Sequence, residues 1–428
     1  MSMATTPGRR DGRPFDSADP DNPGGPAFWR RPEADRLAAF ARLRRLDAPV
    51  FCAEPGAPAG GFYALVRHAD VVAASRTPEV FVSRHGVTTP RPARWVRTVF
   101  GDSMVNLDDP RHKELRSVVA RAFTPRVVAR IAADTEEVAA GIVDDLVAPG
   151  VDLSVPGDFV TAVASRLPFQ VICNMMGIPD GYRSGLLHRI NTTTDRAGVQ
   201  QARRRLRIPG RGIMALARLH LVVARVAADR RRHRSDDLIS ALATATVAGR
   251  PLTGRELGSF FSLLLVAGVE TTRNTIAHAL RLLTEHPDQR ELLLADFDAA
   301  ATGFVDEVVR YSSPIVQFRR TVARDYELNG FPLRAGDEVV MYYVSANRDE
   351  AVFADPDRFD ITRTPNPQVG FGGGGPHFCL GASLARQELT VLFRELFTRL
   401  PRIRSVGAPD LVPSNFDNRI ARLGFTYT

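Results

Sequence analysis

One run constrains this chain more than any other: Val369-Gly370-Phe371-Gly372-Gly373-Gly374-Gly375-Pro376-His377-Phe378-Cys379-Leu380-Gly381. A glycine-rich loop delivers a single cysteine, and a largely apolar helix is predicted to follow over 380–400. A thiol at a helix N-terminus feels the positive end of the macrodipole and is biased toward thiolate. Four consecutive glycines carry no Cβ, so the loop backbone is predicted to lie open to a bulky, flat partner. A reactive sulfur, an exposed backbone and a following helix together describe one side of a binding site.

With 428 residues, 44% of them hydrophobic, the chain can bury a large core. No stretch approaches the roughly 18–20 apolar residues that a membrane span requires. Arg9-Arg10 is followed by Asp, Pro and Gly instead of an apolar segment, so it reads as part of a polar tail, and a cytoplasmic protein is expected. The cysteines, Cys52, Cys173 and Cys379, are far apart and odd in number, which argues against a disulfide framework or a zinc site. Cys173 lies in the apolar run Val171-Ile172-Cys173-Asn174-Met175-Met176 and reads as a small core residue. The net charge is +8, and Lys113 is the one lysine. The arginines, including clusters at 203–207 and 230–234, are interleaved with apolar residues and lack a stacking platform. They read as solvated helix faces and disfavour a nucleic-acid binder.

Residues 1–27 lack periodicity and are predicted to be a disordered tail, with one domain over 28–428. A helix is predicted over 29–46, a strand over 62–66, a short helix over 70–75 and a long irregular loop over 85–105. From 109 to 287 the pattern is mainly helical. Gly177 and Pro179 close one helix, and Thr253-Gly254-Arg255-Glu256 is a capping box that opens the longest one. Late β signals are the Asn329-Gly330 turn and the apolar run 339–343. The fold class expected is mainly α with small β-sheets, as a single domain.

Three constellations carry chemistry. Ala267-Gly268-Val269-Glu270-Thr271-Thr272 places a carboxylate and two hydroxyls in an otherwise greasy helix, where polar groups need partners. Gly268 is predicted to let that turn open slightly. The bland alternative is a helix whose Glu270 only pairs with an arginine. Glu307 and Arg310, three apart, share a helix face, and Arg358 is predicted to complete a buried network with them. His112 and Arg116 lie four apart, and Arg319-Arg320-Thr321 opens a strand; these are candidate cations for carboxylate groups.

Together these residues resemble the bacterial cytochromes P-450, the haem-thiolate monooxygenases, from about Trp29 to the C-terminus. The resemblance implies a haem b cofactor enclosed between the long central helix and the cysteine loop, with Cys379 as axial ligand. It further implies that Glu270 and Thr271 relay protons to bound dioxygen, that His112, Arg116, Arg320 and His377 hold the haem propionates, and that Ala267, Gly268, Phe371, Gly372 and Gly381 line the cofactor. Glu307, Arg310 and Arg358 match the structural network behind it. The implied reaction inserts one oxygen atom of O2 into a C–H bond of a hydrophobic small molecule. Phe371 precedes Cys379 by one residue more than in most of the family. That longer loop, with the Val-Ala-Gly-x-Glu-Thr-Thr-Arg-Asn and Val-Gln-Phe-x-Arg-Thr patterns, is similar to the subgroup that oxidises sterols and methyl-branched lipids. Val269 departs from that subgroup, which often has asparagine there. Candidate pocket residues are Leu264, Leu265, Ala267, Gly268, Ile315, Val316, Phe318 and Phe416, with the 85–105 loop as a further wall. A ferredoxin, itself reduced by a ferredoxin reductase, is the implied electron donor, drawn to Arg116, Arg121 and Arg126, and a monomer is expected. Competing readings are a hydroxylase or epoxidase of a polyketide or other secondary metabolite, a peroxide-driven or isomerising relative, a cysteine-nucleophile enzyme using Cys379 and His377, and an arginine-rich nucleic-acid binder.

Overall fold

The structure, a computed structural model, describes residues 15–16, 19–57, 59–89, 91, 103–122, 125–150, 155–183, 185, 210–233, 237–247 and 249–427. Most of the predicted 85–105 loop, including Trp95, and the arginine cluster at 203–207 fall outside that set. In chain order the helices are α1 (Glu33–Arg44), α2 (His68–Arg76), α3 (Arg111–Ala122), α4 (Pro125–Leu146), α5 (Arg166–Met176), α6 (Gly210–Arg232), α7 (Leu238–Ala243), α8 (Gly254–Glu285), α9 (Pro287–Ala295), α10 (Phe297–Ser312), α11 (Tyr343–Ala346) and α12 (Ala382–Arg399). No helix among the described residues is long and apolar enough to cross a membrane. The chain forms two compact units, each assembled from three separate stretches. One comprises Met1–Pro92, Asp306–Leu380 and Pro413–Asn418, and the other the remainder.

The first unit is built on a five-stranded sheet of order β1-β2-β10-β7-β3: β1 (Val50–Ala53), β2 (Gly61–Leu65), β3 (Phe81–Val82), β7 (Gln317–Val322) and β10 (Glu338–Tyr342). β2 and β10 run parallel, with Tyr63 opposite Val339 and Leu65 opposite Met341. Alternation along β10 sends Val340 and Tyr342 into a cluster with Phe28, Trp29, Phe40 and Phe62, and Val339 and Met341 into a second with Tyr63, Val71 and Phe81. Both faces of the sheet are therefore buried. The Asn329-Gly330 turn joins β8 (Tyr326–Leu328) to β9 (Phe331–Leu333), with both turn residues at positive φ as a two-residue hairpin requires. Pro32 ends a short 3-10 turn at Phe28–Arg30, so the predicted first helix starts only at Glu33. The described part of the predicted tail is packed in place. Phe15 is buried and bridges Cys52, and the buried Asn22 amide donates to the carbonyls of Asp16 and Ala53 at 2.7 and 2.9 Å. The Phe15 ring, the Asn22 amide and the ion pairs of Asp21 with Arg31 and Arg42 hold the segment down, which its polar composition hid.

In the second unit the 32-residue α8 runs beside α5 and α6. Its capping box forms as predicted: Glu256 N–H donates to Thr253 Oγ1 at 3.2 Å, and Thr253 N–H donates to Glu256 Oε2 at 2.9 Å. α5 ends at Gly177, whose φ of 65° is the left-handed cap. Three minor pairings complete the unit: β11 (Arg404–Val412) with β12 (Arg419–Thr426), β12 with β4 (Gly157–Asp158), and β5 (Thr246–Val247) with β6 (Arg250–Pro251).

Glu388, on α12, is 1% exposed, and no hydrogen bond reaches its Oε2 among the described residues. Burial pushes its carboxyl from 4.5 up to about 8. Between those values the folded state binds a proton that the unfolded state has released, so stability falls as pH rises through this window. Glu388→Gln is expected to remove that slope. Urea unfolding should find the variant more stable than the parent at pH 8 and no more stable at pH 4.

Candidate active site

In the first unit the cysteine loop is a backbone-bonded turn. Cys379 N–H donates to the Phe371 carbonyl at 2.8 Å, Gly372 N–H to Val369 at 2.9 Å and Phe378 N–H to Gly375 at 3.2 Å. These bonds fold the loop back so that the sulfur sits just ahead of α12, whose N-cap is Gly381. Cys379 is the exposed cysteine of the three. Cys52 and Cys173 are buried, and burial pushes the Cys173 thiol up to about 12. The glycines do not serve the role predicted for them as a group. A Cβ on Gly375 would lie 2.2 Å from the Ser75 carbonyl oxygen, one on Gly373 2.7 Å from Ser75 Oγ, and one on Gly374 2.9 Å from Arg76 Nε. Those three glycines let the loop nest against the end of α2. Open space is found at Gly381, while a Cβ on Gly372 would make ordinary contact with Phe378 at 3.6 Å, and its φ of +103° is what favours glycine there.

On β7 Arg320 is buried, its Nη1 donating to the Arg319 carbonyl at 2.8 Å. Its neighbour Arg319 points to the other face of the sheet, paired with Glu54 and over the Phe62 ring. His377 Nε2 engages Ser83 Oγ at 3.3 Å. Of the predicted pocket residues, Phe318 and Phe416 meet edge-on with centroids 5.6 Å apart, and Ile315 bridges Asp417. Val316 does not line a pocket: it is fully buried in the cluster with Phe28 and Phe40, one residue ahead of β7 and on the opposite side from Phe318.

The network behind the loop is fully buried. Arg310 Nε and Nη2 each donate to Glu307 at 2.7 Å in a fork. The predicted third member is wrong. Arg358 is exposed and contributes its carbonyl, accepting from Arg310 Nη2 at 3.0 Å. The third cation is Arg363, 3.3 Å from Glu307 Oε2. The 353–359 segment forms a turn, with Asp355 at positive φ, that directs the Arg358 backbone inward and leaves its side chain outside. Sequence reasoning also missed Asn347 and Asn366. Asn347 offers its carbonyl to Arg310 and its Oδ1 to Val369 N–H at 2.7 Å, which ties the network to the start of the cysteine loop. Asn366 donates to Glu307 at 3.1 Å.

The second unit carries the oxygen-side candidates. α8 is continuous, and Thr271 Oγ1 donates to the Ala267 carbonyl at 2.6 Å. The turn at Gly268 does not open. Its missing Cβ instead admits Ile172 of α5, whose Cδ1 would stand 3.0 Å from it. One stripe of the helix is exposed, with Val266 at 59% and Ala267 beside it, while Leu264 and Thr271 are half-buried. Leu265 is 2% exposed and Val269 is buried, both on the far side of the helix from Ala267. Leu265 therefore faces the packed side of the helix, and its neighbour Val266 is the exposed one. The change at Val269 falls on the packed side of the helix. Glu270 is buried, 3.7 Å from Arg273 and 3.9 Å from Arg419. The arginine pairing of the bland alternative is thus present, next to Thr271 in the chain. On α3 His112 is buried 3.6 Å from Asp109, and desolvation is the main cause holding its imidazole below the usual range. It is suited to donate a neutral N–H instead of acting as a cation. Arg116 follows one turn later on the same face.

The family model described as Cytochrome P450 matches residues 217–400. The chain is 43% identical over 406 residues to a methyl-branched lipid omega-hydroxylase of Mycobacterium tuberculosis, covering 94% of this chain and 93% of that protein. It is 37% identical over 407 residues to a steroid C26-monooxygenase of the same organism, covering 92% and 90%. Among solved structures it is similar to a Mycobacterium marinum cytochrome P450 in complex with pseudoionone, at 40% identity and a TM-score of 0.87, covering 97% of this chain and 99% of that one. The fold is theirs, mainly helical with small sheets, and the chain belongs to the cytochrome P450 family, the haem-binding monooxygenases that hydroxylate hydrophobic molecules with O2.

Proposed function

We propose that this enzyme hydroxylates the terminal carbon of a methyl-branched lipid or a sterol side chain, with Cys379 as the axial ligand of its haem. The observation that carries the site assignment is the exposed Cys379 thiol, held ahead of α12 by the Phe371 carbonyl while the other two cysteines are buried. The residues present fit the cofactor. They offer one exposed thiol, backbone with open space at Gly381, and donors for carboxylates in His112, Arg116, Arg320 and His377. Bound haem supplies the oxygen activation and insertion, and a thiolate ligand favours O–O cleavage.

The chain's own residues supply the rest. Loop N–H groups moderate the charge on sulfur, as outer-shell donors do. Thr271 Oγ1 handles the proton on the oxygen side, with Glu270 as the acid that replenishes it. In the second unit Val266 and Ala267, with Leu264 half-buried nearby, present apolar surface suited to a hydrocarbon chain; in the first, the paired rings of Phe318 and Phe416 do the same. The substrate class rests on the relatives named above and on the longer cysteine loop. Electrons come from a ferredoxin attracted to Arg116, Arg121 and Arg126, of which the last two are exposed. We place its action in the cytoplasm, as a monomer.

Thr271→Ala is expected to lower product formation ~10²-fold, the scale of a general acid–base contribution, while NADPH consumption falls far less. Unchanged product per NADPH would remove Thr271 from the proton path. The substrate class is tested by optical titration with phytanic acid, cholestenone, pseudoionone and a macrolide. The largest spin-state shift is expected with one of the first two, and a response to the macrolide alone would favour secondary metabolism instead.

A further inference from the structure

Glu270 is held by two guanidinium groups that come from different elements. Arg273 Nη1 stands 3.7 Å from Oε1 and belongs to α8 itself, one turn along. Arg419 Nε stands 3.9 Å from Oε2 and opens β12, where pairing with Val412 of β11 fixes its backbone. Both separations exceed hydrogen-bond length, so the attraction between these groups is Coulombic. Glu270 and Arg273 are buried and Arg419 nearly so, and with little water between them such attraction is weakly screened. The two partners do different work. Arg273 moves with the helix, so it cannot fix the Glu270 side chain against anything outside α8. Arg419 can, because a sheet register holds it.

We propose that Arg419 is a positioning residue for proton delivery, fixing the side-chain position from which Glu270 serves Thr271. The proposal rests on the reading of Glu270 and Thr271 as the proton-relay pair. The chain's sequence gives no signal for Arg419, which is one arginine among many and lies far from α8 along the chain.

The test uses the holoenzyme with NADPH, a bacterial ferredoxin and its reductase, and phytanic acid or cholestenone, whichever binds by optical titration. Arg419→Gln is expected to lower product per NADPH ~10-fold, the lower end of losses when a group that orients a functional side chain is removed. The substrate dissociation constant should stay unchanged, and Arg419→Lys should restore most of the coupling. In a Glu270→Gln background the same change should add no further loss. Independently of turnover, Arg419→Gln should lower the urea unfolding midpoint in the parent and not in Glu270→Gln. If Glu270→Gln uncouples and Arg419→Gln does not, the positioning role is wrong and the relay stands. If neither Glu270→Gln nor Thr271→Ala uncouples, the relay reading fails and takes the proposal with it. An equal loss from Arg419→Gln in both backgrounds also overturns the proposal. Should Arg419→Gln not fold, Arg419→Met against Arg419→Lys makes the same comparison.

Discussion

Cys379→Ser is expected to abolish hydroxylation and to remove the red-shifted absorption band of the reduced, carbon-monoxide-bound enzyme. A serine hydroxyl is not ionised at neutral pH, so it cannot supply the anionic, polarisable ligand that a thiolate does. The fold should survive the change. The loop is closed by main-chain bonds, Cys379 N–H to Phe371 and Phe378 N–H to Gly375, which serine also makes. Circular dichroism and the unfolding midpoint of the haem-free protein should therefore stay near the parent's. Cys52→Ser and Cys173→Ser are the controls. Both thiols are buried, so these changes should register in stability and leave the spectrum of assembled enzyme intact. A Cys379→Ser protein that kept the thiolate-type band would move the ligand elsewhere.

The second large effect belongs to stability. Glu307→Ala strands the Arg310 guanidinium in a fully buried site with Arg363 beside it, and should cost about 3–5 kcal/mol, as breaking a buried pair from one side does. Denaturant unfolding measures this directly. Arg363→Ala should be clearly destabilising, and Arg358→Ala close to neutral, because Arg358 contributes its carbonyl and leaves its side chain outside. A reversed order for those two would return Arg358 to the network. Haem uptake should fall along with stability in Glu307→Ala, since Asn347 links Arg310 to the first residue of the cysteine loop.

The contrast between Arg358 and Arg363 shows where sequence reasoning stops. Spacing of three placed Glu307 and Arg310 on one helix face, and helical geometry alone is enough for that. The third cation comes from an irregular segment, where no period says which side chain turns inward. The capping box, the Gly177 stop and the Asn329-Gly330 hairpin were legible because each is a local rule with its own residue signature. Leu265 and Val316 were misassigned for a different reason. Both are apolar residues next to functional ones, and composition does not distinguish the buried face from the lining face. The glycines of the cysteine loop were legible as a site but not in their division of labour, which depends on how closely α2 approaches.

The parallel pairing of β2 with β10 has a bearing on biosynthesis. Gly61–Leu65 leaves the ribosome early, yet its neighbour Glu338–Tyr342 is made only after most of the chain. Until then β1 and β2 present an apolar hairpin with one side unpaired, the kind of surface that aggregates or recruits chaperones. Contacts this distant in sequence also slow the search for the native pairing. Yield of this protein in a foreign host should therefore respond to slower translation and cooler growth before it responds to haem supply.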